Sequence, residues 1–312
     1  MKHVSFLTFA AAALFVAALH AAPVQAQPAR VFVAAQGSDT NPCSFALPCR
    51  TFQRAHNVVA AGGEIDVLDP AGYGALTINK AISIQGHGFA GLAVASGDGI
   101  AITAGAADVV NLRGLLLDGV GTGANGIVFN AGAALDIQDC LIRNFVSQGI
   151  RFIPGASSAL LVSATRISAN GYIGVWVAPT GSGAVTAVLD HVVVVKGASS
   201  GIYVSGNFST GTINAEIADS VSANNTIHGI VSESSAVAQI TVYVRNSMIA
   251  NNGSVGAFAN GGVGKLRLIR STVTGNSIGW SALTGATLTS SGDNNIDDNT
   301  NGNTAPPLLA PK

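Results

Sequence analysis

The chain has 312 residues, with 15 Lys and Arg against 16 Asp and Glu, so its formal net charge is −1. Such a balance creates no global field for nucleic acid or an anionic membrane surface, and neither is expected as a partner. Charged residues make up only 10% of the chain while glycines number 38, which excludes a helical bundle; the wealth of Val, Ile and Leu excludes a disordered tail.

Taken in chain order, Lys2 and His3 precede an apolar run from Phe6 to Ala18 and a small-residue cleavage site at Val24-Gln25-Ala26. Residues 1–26 therefore read as a secretory signal peptide, too short in its apolar run to span a membrane. No later stretch is long and apolar enough to insert, so the mature chain is expected to be secreted or periplasmic and bacterial. Removing the signal leaves 286 residues with a charge of −2. Cys43 and Cys49 then bracket a short loop, which in an exported chain favours a local disulfide worth about 2 kcal/mol through loop closure. Thr51 to Ala61 has an N-capping Thr, helical spacing of Phe52, Ala55 and Val59, and a stop at Gly62-Gly63. This predicts a short helix capping the N-terminal edge, within a segment 27–62. The first strands follow at Glu64 to Leu68 and Leu76 to Ile84.

From Gly99 onward, a Gly followed by an apolar residue recurs at 126, 149, 174, 201, 229, 256 and 279, at intervals of 23 to 28. A period that wanders in this way suits coils of short strands joined by turns of variable length. After each Gly the apolar residues alternate, as in Ile150 and Phe152 or Ile202 and Val204, and period two means strand. A second apolar column reads Leu112, Ile137, Val162, Val188, Ile217, Val244 and Leu268. It precedes turn positions held by Gly114, Asp139, Ala164, Asp190, Asp219, Asn246 and Arg270. The next residues, Cys140, Thr165, His191, Ser220, Ser247 and Ser271, are expected to point inward, which makes Cys140 a buried thiol. A third column runs Leu117, Ile142, Ile167, Val193, Ile249 and Val273, with Ser222 as the exception. Asn144, Asn170, Asn224, Asn251 and Asn276 fall near the turn that follows, where stacked amides bond along the axis. The pattern predicts an all-β, right-handed parallel β-helix over residues 63–303, with about eight coils and three short strands per coil. Residues 304–312, with Pro306, Pro307 and Pro311, form a tail that cannot extend a ladder.

The N-terminal block reads Asn41-Pro42-Cys43, Pro48-Cys49-Arg50-Thr51-Phe52, Ala61 to Pro70 and Gly72-Tyr73-Gly74. With the coils, it resembles the small exported right-handed β-helix repeat proteins of proteobacteria, within the pectate-lyase-like superfamily, over roughly residues 30–300. That family carries no established activity, so the resemblance implies fold and export alone. The calcium-dependent lyases of the superfamily pair an Asp before the Gly with another three residues after it. Here Asp98 precedes Gly99, but Ile102 takes the second position, which disfavours that chemistry. Gly86-His87-Gly88 resembles the histidine motif of polygalacturonases without the Asn-x-Asp, upstream Asp-Asp and downstream Arg-x-Lys that accompany it. It reads as a turn. Asp69-Pro70 continues as Ala71-Gly72, so the Asp-Pro-His-Glu signature of alginate epimerases is absent.

Two constellations remain. The second residue after each Gly points outward, and that column reads Val128, Arg151, Trp176, Tyr203, Val231, Phe258. Arg151, Trp176 and Tyr203 on consecutive coils form an exposed ridge on which sugar faces stack, unless the turns at 179–183 or 207–211 fold over the rings. Arg245, Lys265, Arg267 and Arg270 with Tyr243 form a basic cluster that either neutralises an acidic polysaccharide or is a solvated edge. Asp190 and Asp219 are expected to stack at one turn, where calcium could bind weakly; His56, His191 and His228 share no ligand spacing, and no other cofactor is expected. The preferred reading is a non-catalytic polysaccharide-binding scaffold with Arg151, Trp176 and Tyr203 as its binding residues. The alternatives are a lyase or hydrolase of uronate polymers with Arg245 or Arg267 as catalytic residue, and a structural or adhesive surface protein.

Overall fold

A computed structural model describes residues 26–234 and 237–309; the expected signal peptide lies, except for Ala26, outside the described residues. Alternating apolar residues of successive coils pair in parallel register, so that Ile127 lies beside Ile150, Ile150 beside Val175 and Val175 beside Ile202. The strands close into a right-handed parallel β-helix of about nine turns, one more than the repeat count predicts. One face is a sheet of nine strands that begins at Leu76–Ile78 and ends at Ile278–Leu283. The other two faces run together as one 19-stranded sheet, because the long strands Ile82–Ala93 and Val109–Asp118 turn the corner between them. The inward residues form a single core along the axis, in which the Phe129 and Phe152 rings stack at 4.7 Å.

The glycine repeat has a steric cause. A Cβ on Gly126 would lie 2.5 Å from the carbonyl oxygen of Gly149, and one on Gly229 would lie 2.6 Å from that of Gly256. Each coil turns here with its backbone against the next, and only Gly fits. The turn from the third face back to the nine-stranded face is held by amides. Asn225, Asn252, Asn276 and Asn299 are buried, and each donates through Nδ2 to the Oδ1 of the next: 3.0 Å from Asn225 to Asn252, then 2.9 Å at both following steps. The same oxygens accept backbone N–H groups, so a buried turn that would otherwise carry orphan donors is satisfied.

Both ends are closed. The helix Phe52–Val58 is capped by Thr51, whose hydroxyl accepts from the Arg54 N–H, and it buries Phe52 and Ala55 as its spacing predicts. The strand Arg30–Val33 pairs with Gly63–Val67, so the segment before residue 63 joins the ladder as well as covering it. The Cys43–Cys49 disulfide closes the loop beside that strand. At the other end the tail does extend the ladder by one bridge: the Pro307 carbonyl accepts from the Ser290 N–H and Leu309 donates back to the Ser290 carbonyl. Proline lacks a donor but keeps its acceptor, and the residues flanking it supply the rest.

One coil departs from the expected register. Leu189, not Val188, pairs with Val162 and Ile217, and Val194, not Val193, pairs with Ile167 and Ser222. His191 therefore occupies the left-handed turn with φ +53°, and Val192 takes the buried place beside Thr165 and Ser220. A run of adjacent apolar residues reads equally well in either phase, and a one-residue slip flips every side chain across the sheet. The asparagine column divides for the same kind of reason: Asn144, Asn224 and Asn251 sit in left-handed turn positions, and it is the residue after each that faces inward. Asn170 and Asn276 do belong to the inward column. Cys140 and Ser222 are buried as expected.

Gly229→Ala should lower the urea midpoint by an amount equivalent to about 1–3 kcal/mol, the usual cost of overpacking. Gly155→Ala, whose Cβ would meet only the Thr180 hydroxyl at 3.6 Å, should change it by less than about 0.5 kcal/mol. Equal effects would contradict the close-approach account.

Candidate functional site

The outward column of the nine-stranded face falls in the expected register: Val128, Arg151, Trp176, Tyr203, Val231 and Phe258 pair coil to coil. Val128 and Val231 are buried, however, so what reaches solvent in the middle of the face is Arg151, Trp176 and Tyr203, all half-buried. The Arg151 guanidinium lies over the Trp176 ring at 5.6 Å. Beside them opens a cavity of about 310 Å³ lined by Tyr172, Trp176, Tyr203, Phe208 and Glu233. The turn after Ser205 contributes Asn207 and Phe208 to the cavity lining, beside the half-buried Trp176 and Tyr203 rings. Phe208 and Tyr172 are 60% and 49% exposed, which marks an aromatic surface unusual for solvent-facing turns.

Glu233 organises the floor. It accepts hydrogen bonds from the Tyr203 hydroxyl, from Asn207 Nδ2 at 3.0 Å and from Asn260 Nδ2 at 2.8 Å. Burial and the Glu233 carboxylate push the Tyr203 phenol well above its ordinary range, so Tyr203 stays a donor. Next to this network the His228 ring packs against Phe258 at 4.8 Å, and its Nδ1 accepts from the Val255 N–H. Burial lowers the His228 pKa and keeps the ring neutral. Tyr172, Phe208 and Glu233 were not singled out from the sequence. The alternation that directs Tyr203 and Val231 to the outer side of the sheet also directs Glu233 there, two residues further along; Tyr172 and Phe208 lie on turns, where no periodicity points to them.

A second groove lies on the first residues of the 19-stranded sheet. His87, in a left-handed turn, places Nε2 2.6 Å from Asp66 Oδ1, and Arg113 Nε lies 3.3 Å from Asp139 Oδ2. His87, Arg113 and Asp139, with Gln85, line a cavity of about 470 Å³. A smaller space of about 220 Å³ continues past Gln85 and Arg113 to Asp136, one of whose oxygens is buried without a hydrogen bond. Desolvation raises the Asp136 pKa. The Gly86-His87-Gly88 turn therefore does more than reverse the chain, because it hangs an imidazole over a polar groove.

Within the basic cluster, among the described residues, Arg245 alone is paired with carboxylates. Arg245 Nε lies 2.5 Å from Glu216 Oε1 and its Nη1 3.5 Å from Asp219, contacts that raise its pKa and hold it protonated. A general base must give up that proton, so Arg245 is unsuited to the role. Arg267 stacks on Tyr243 at 5.1 Å and donates to its hydroxyl, and Arg270 donates to Asn246. The register slip also changes the acidic turn: Asp190 pairs with Ala218 and not with Asp219. His191 comes between them, and ligand atoms of Asp190, His191 and Asp219 gather within 4.8 Å. The imidazole makes a donor set less suited to calcium, which prefers oxygen, and the Arg245 guanidinium already supplies positive charge to Asp219. The free thiol of Cys140 is buried, which pushes its pKa up to about 12 and leaves it unreactive.

No protein-family model matches the chain, and none of the curated proteins matches it in sequence. Solved structures do match in shape. A pectate lyase superposes with a TM-score of 0.64 at 17% identity, over 84% of this chain and 74% of that one. The A-modules of two mannuronan C-5 epimerases from Azotobacter vinelandii give TM-scores of 0.54 and 0.51 at 14% and 13% identity. They cover 83% and 73% of this chain, and 91% and 73% of their own. The likeness shows a pectate-lyase-like β-helix fold. The one helix described is too short to cross a membrane.

Burial lowers the pKa of both His56 and His228 below the ordinary histidine value of about 6.5. The unfolded chain then binds more protons as the pH falls through that value, so stability is greatest above it and declines below it. The urea midpoint should drop between pH 7.5 and 5.5, and His228→Gln should reduce the drop. A midpoint that rises towards pH 5.5 would contradict the buried, neutral state of these rings.

Proposed function

We propose that this protein is an exported β-helix scaffold that binds polysaccharide without cleaving it, through Arg151, Trp176 and Tyr203. The observation that carries this reading is the register of those three side chains beside an aromatic-walled cavity. Successive coils are about 4.8 Å apart, so ring follows ring along the axis and a sugar chain laid over them meets one platform per coil. The apolar face of a pyranose stacks on Trp176, and its hydroxyl groups accept from Arg151 and donate to the Tyr203 oxygen, whose own proton goes to Glu233. Lectin-like sites on rigid scaffolds need little reorganisation, which limits the entropic cost of binding. The solved neighbours include a pectate lyase and two mannuronan epimerases, which adds weight to a polysaccharide as the ligand class.

A second reading, an enzyme acting on an acidic polysaccharide, is favoured by the groove at His87. There Asp66 orients an imidazole and Arg113 stands ready to meet a sugar carboxylate. Export fits either reading, and weakly held calcium at the Asp190 turn belongs to neither.

On a glycan array the mature protein should bind a subset of polysaccharides, and Trp176→Ala should lower that binding at least tenfold. Unchanged binding in the variant would remove the ridge as the site, and no binding at all would favour a structural or adhesive role. The wild-type protein should leave the ultraviolet absorbance of polygalacturonate and alginate solutions unchanged; a rise that is lost in His87→Ala would establish the enzyme reading instead.

A further inference from the structure

The geometry points to a cation-accepting subsite at Glu233: we infer that the aromatic-walled cavity selects sugars that carry a free ammonium group, that is, amino sugars. This rests on the ridge as the sugar-binding surface and adds what chemistry the ridge prefers.

The carboxylate is the starting point. Glu233 lines the cavity together with Trp176, Tyr203 and Phe208, half-buried among rings that cannot solvate it. Elsewhere on the outer surface several carboxylates face a guanidinium from a neighbouring coil, as Glu64 does with Arg30, Asp139 with Arg113, Asp118 with Arg143 and Glu216 with Arg245, while others among the described residues, such as Asp108 and Asp297, do not. Among the described residues no Lys or Arg pairs with Glu233. Its three partners are a phenol and two amides, all neutral donors. Neutral donors orient a carboxylate and leave its charge in place. The nearby His228 spends Nδ1 on the Val255 N–H, and its burial lowers its pKa against the opposing pull of Glu233.

The three hydrogen bonds also leave something over. Two carboxylate oxygens offer about four acceptor directions, so roughly one remains for a donor arriving from the cavity. An ammonium group meets both needs, since it donates in three directions and carries the opposite charge. The rings add to this, because a cation close to the faces of Trp and Tyr is attracted by their quadrupoles. A neutral hydroxyl would fill the acceptor position and leave the charge uncompensated; a uronate would place a second negative charge beside Glu233. The cavity volume of about 310 Å³ lies at the small end of ligand sites and suits a single ring seated between Trp176 and Phe208. Arg151 is three coils away in register, about 14 Å at the coil spacing, so it contacts a different sugar of the same chain.

The test uses oligomers of glucosamine and of N-acetylglucosamine of equal length, titrated at pH 6 into the wild-type protein and into Glu233→Gln, with binding read by calorimetry. Acetylation removes the charge and leaves the ring the same. The wild type should bind the glucosamine oligomer about tenfold more tightly, the gain expected of one charge-assisted hydrogen bond. Glu233→Gln, which keeps an acceptor for Tyr203, should lose that preference and retain its affinity for the acetylated oligomer. Trp176→Ala should weaken both. Equal affinities in the wild type, or a preference that survives Glu233→Gln, would overturn the inference while leaving the ridge in place. Binding of neither oligomer alongside binding of other glycans would do the same. If the variant does not fold, the wild-type comparison of the two oligomers decides the matter alone.

Discussion

Everything in this molecule follows from the requirement that each coil lie directly on the next. The backbone approaches so closely at the turn before the nine-stranded face that a Cβ there would strike the carbonyl of the following coil, as at Gly126 and Gly149. That contact fixes the phase of every coil, and the phase puts like residues over like. Inside, the result is a continuous column of Ile, Val and Phe; in the same turn as the glycines it is a run of buried Asn side chains that pair with each other and with the backbone. An irregular turn can grow by a few residues without disturbing this register, which is why the interval between glycines varies from 23 to 28.

On the outside the same rule makes the surface a ruler. Several charges along the axis meet opposite charges from nearby coils, among them four arginine–carboxylate pairs. These exposed pairs contribute little stability, since each is well solvated. Glu233 differs from the paired carboxylates in lying among the rings of a cavity with neutral donors as its partners. Two places break the uniform surface: the imidazole and guanidinium groove at one end and the aromatic ridge in the middle. The groove has charged groups already paired within it, His87 with Asp66 and Arg113 with Asp139, whereas the ridge presents half-buried rings, with the Arg151 guanidinium over Trp176. Ring faces suit the apolar face of a sugar, and this difference is why the proposed reading takes the ridge as the binding surface.

The fold was legible because its signals are periodic. Gly followed by Ile or Val at each coil, and the Thr51 cap with Phe52 and Ala55 on one side, are local patterns that tertiary contacts then satisfy. Where the pattern is degenerate, the phase is lost: Val188 and Leu189, and the run from Val192 to Val195, fit two registers, and packing alone selects one. The tail escaped because proline was judged by its missing donor and not by its acceptor. The site was half legible. Arg151, Trp176 and Tyr203 come from alternation, but Tyr172 and Phe208 come from turns, and the pairing of His87 with Asp66 joins residues one coil apart that no linear spacing connects.

Hydrogen exchange with and without the tightest-binding oligosaccharide tests the central claim, that a glycan is read along the axis by one outward column, most directly. Protection should appear in peptides covering 150–153, 172–177, 202–211 and 230–234, on adjacent coils of one face. Protection confined to 83–88, 111–114 and 136–139 would place the ligand in the His87 groove and contradict the account.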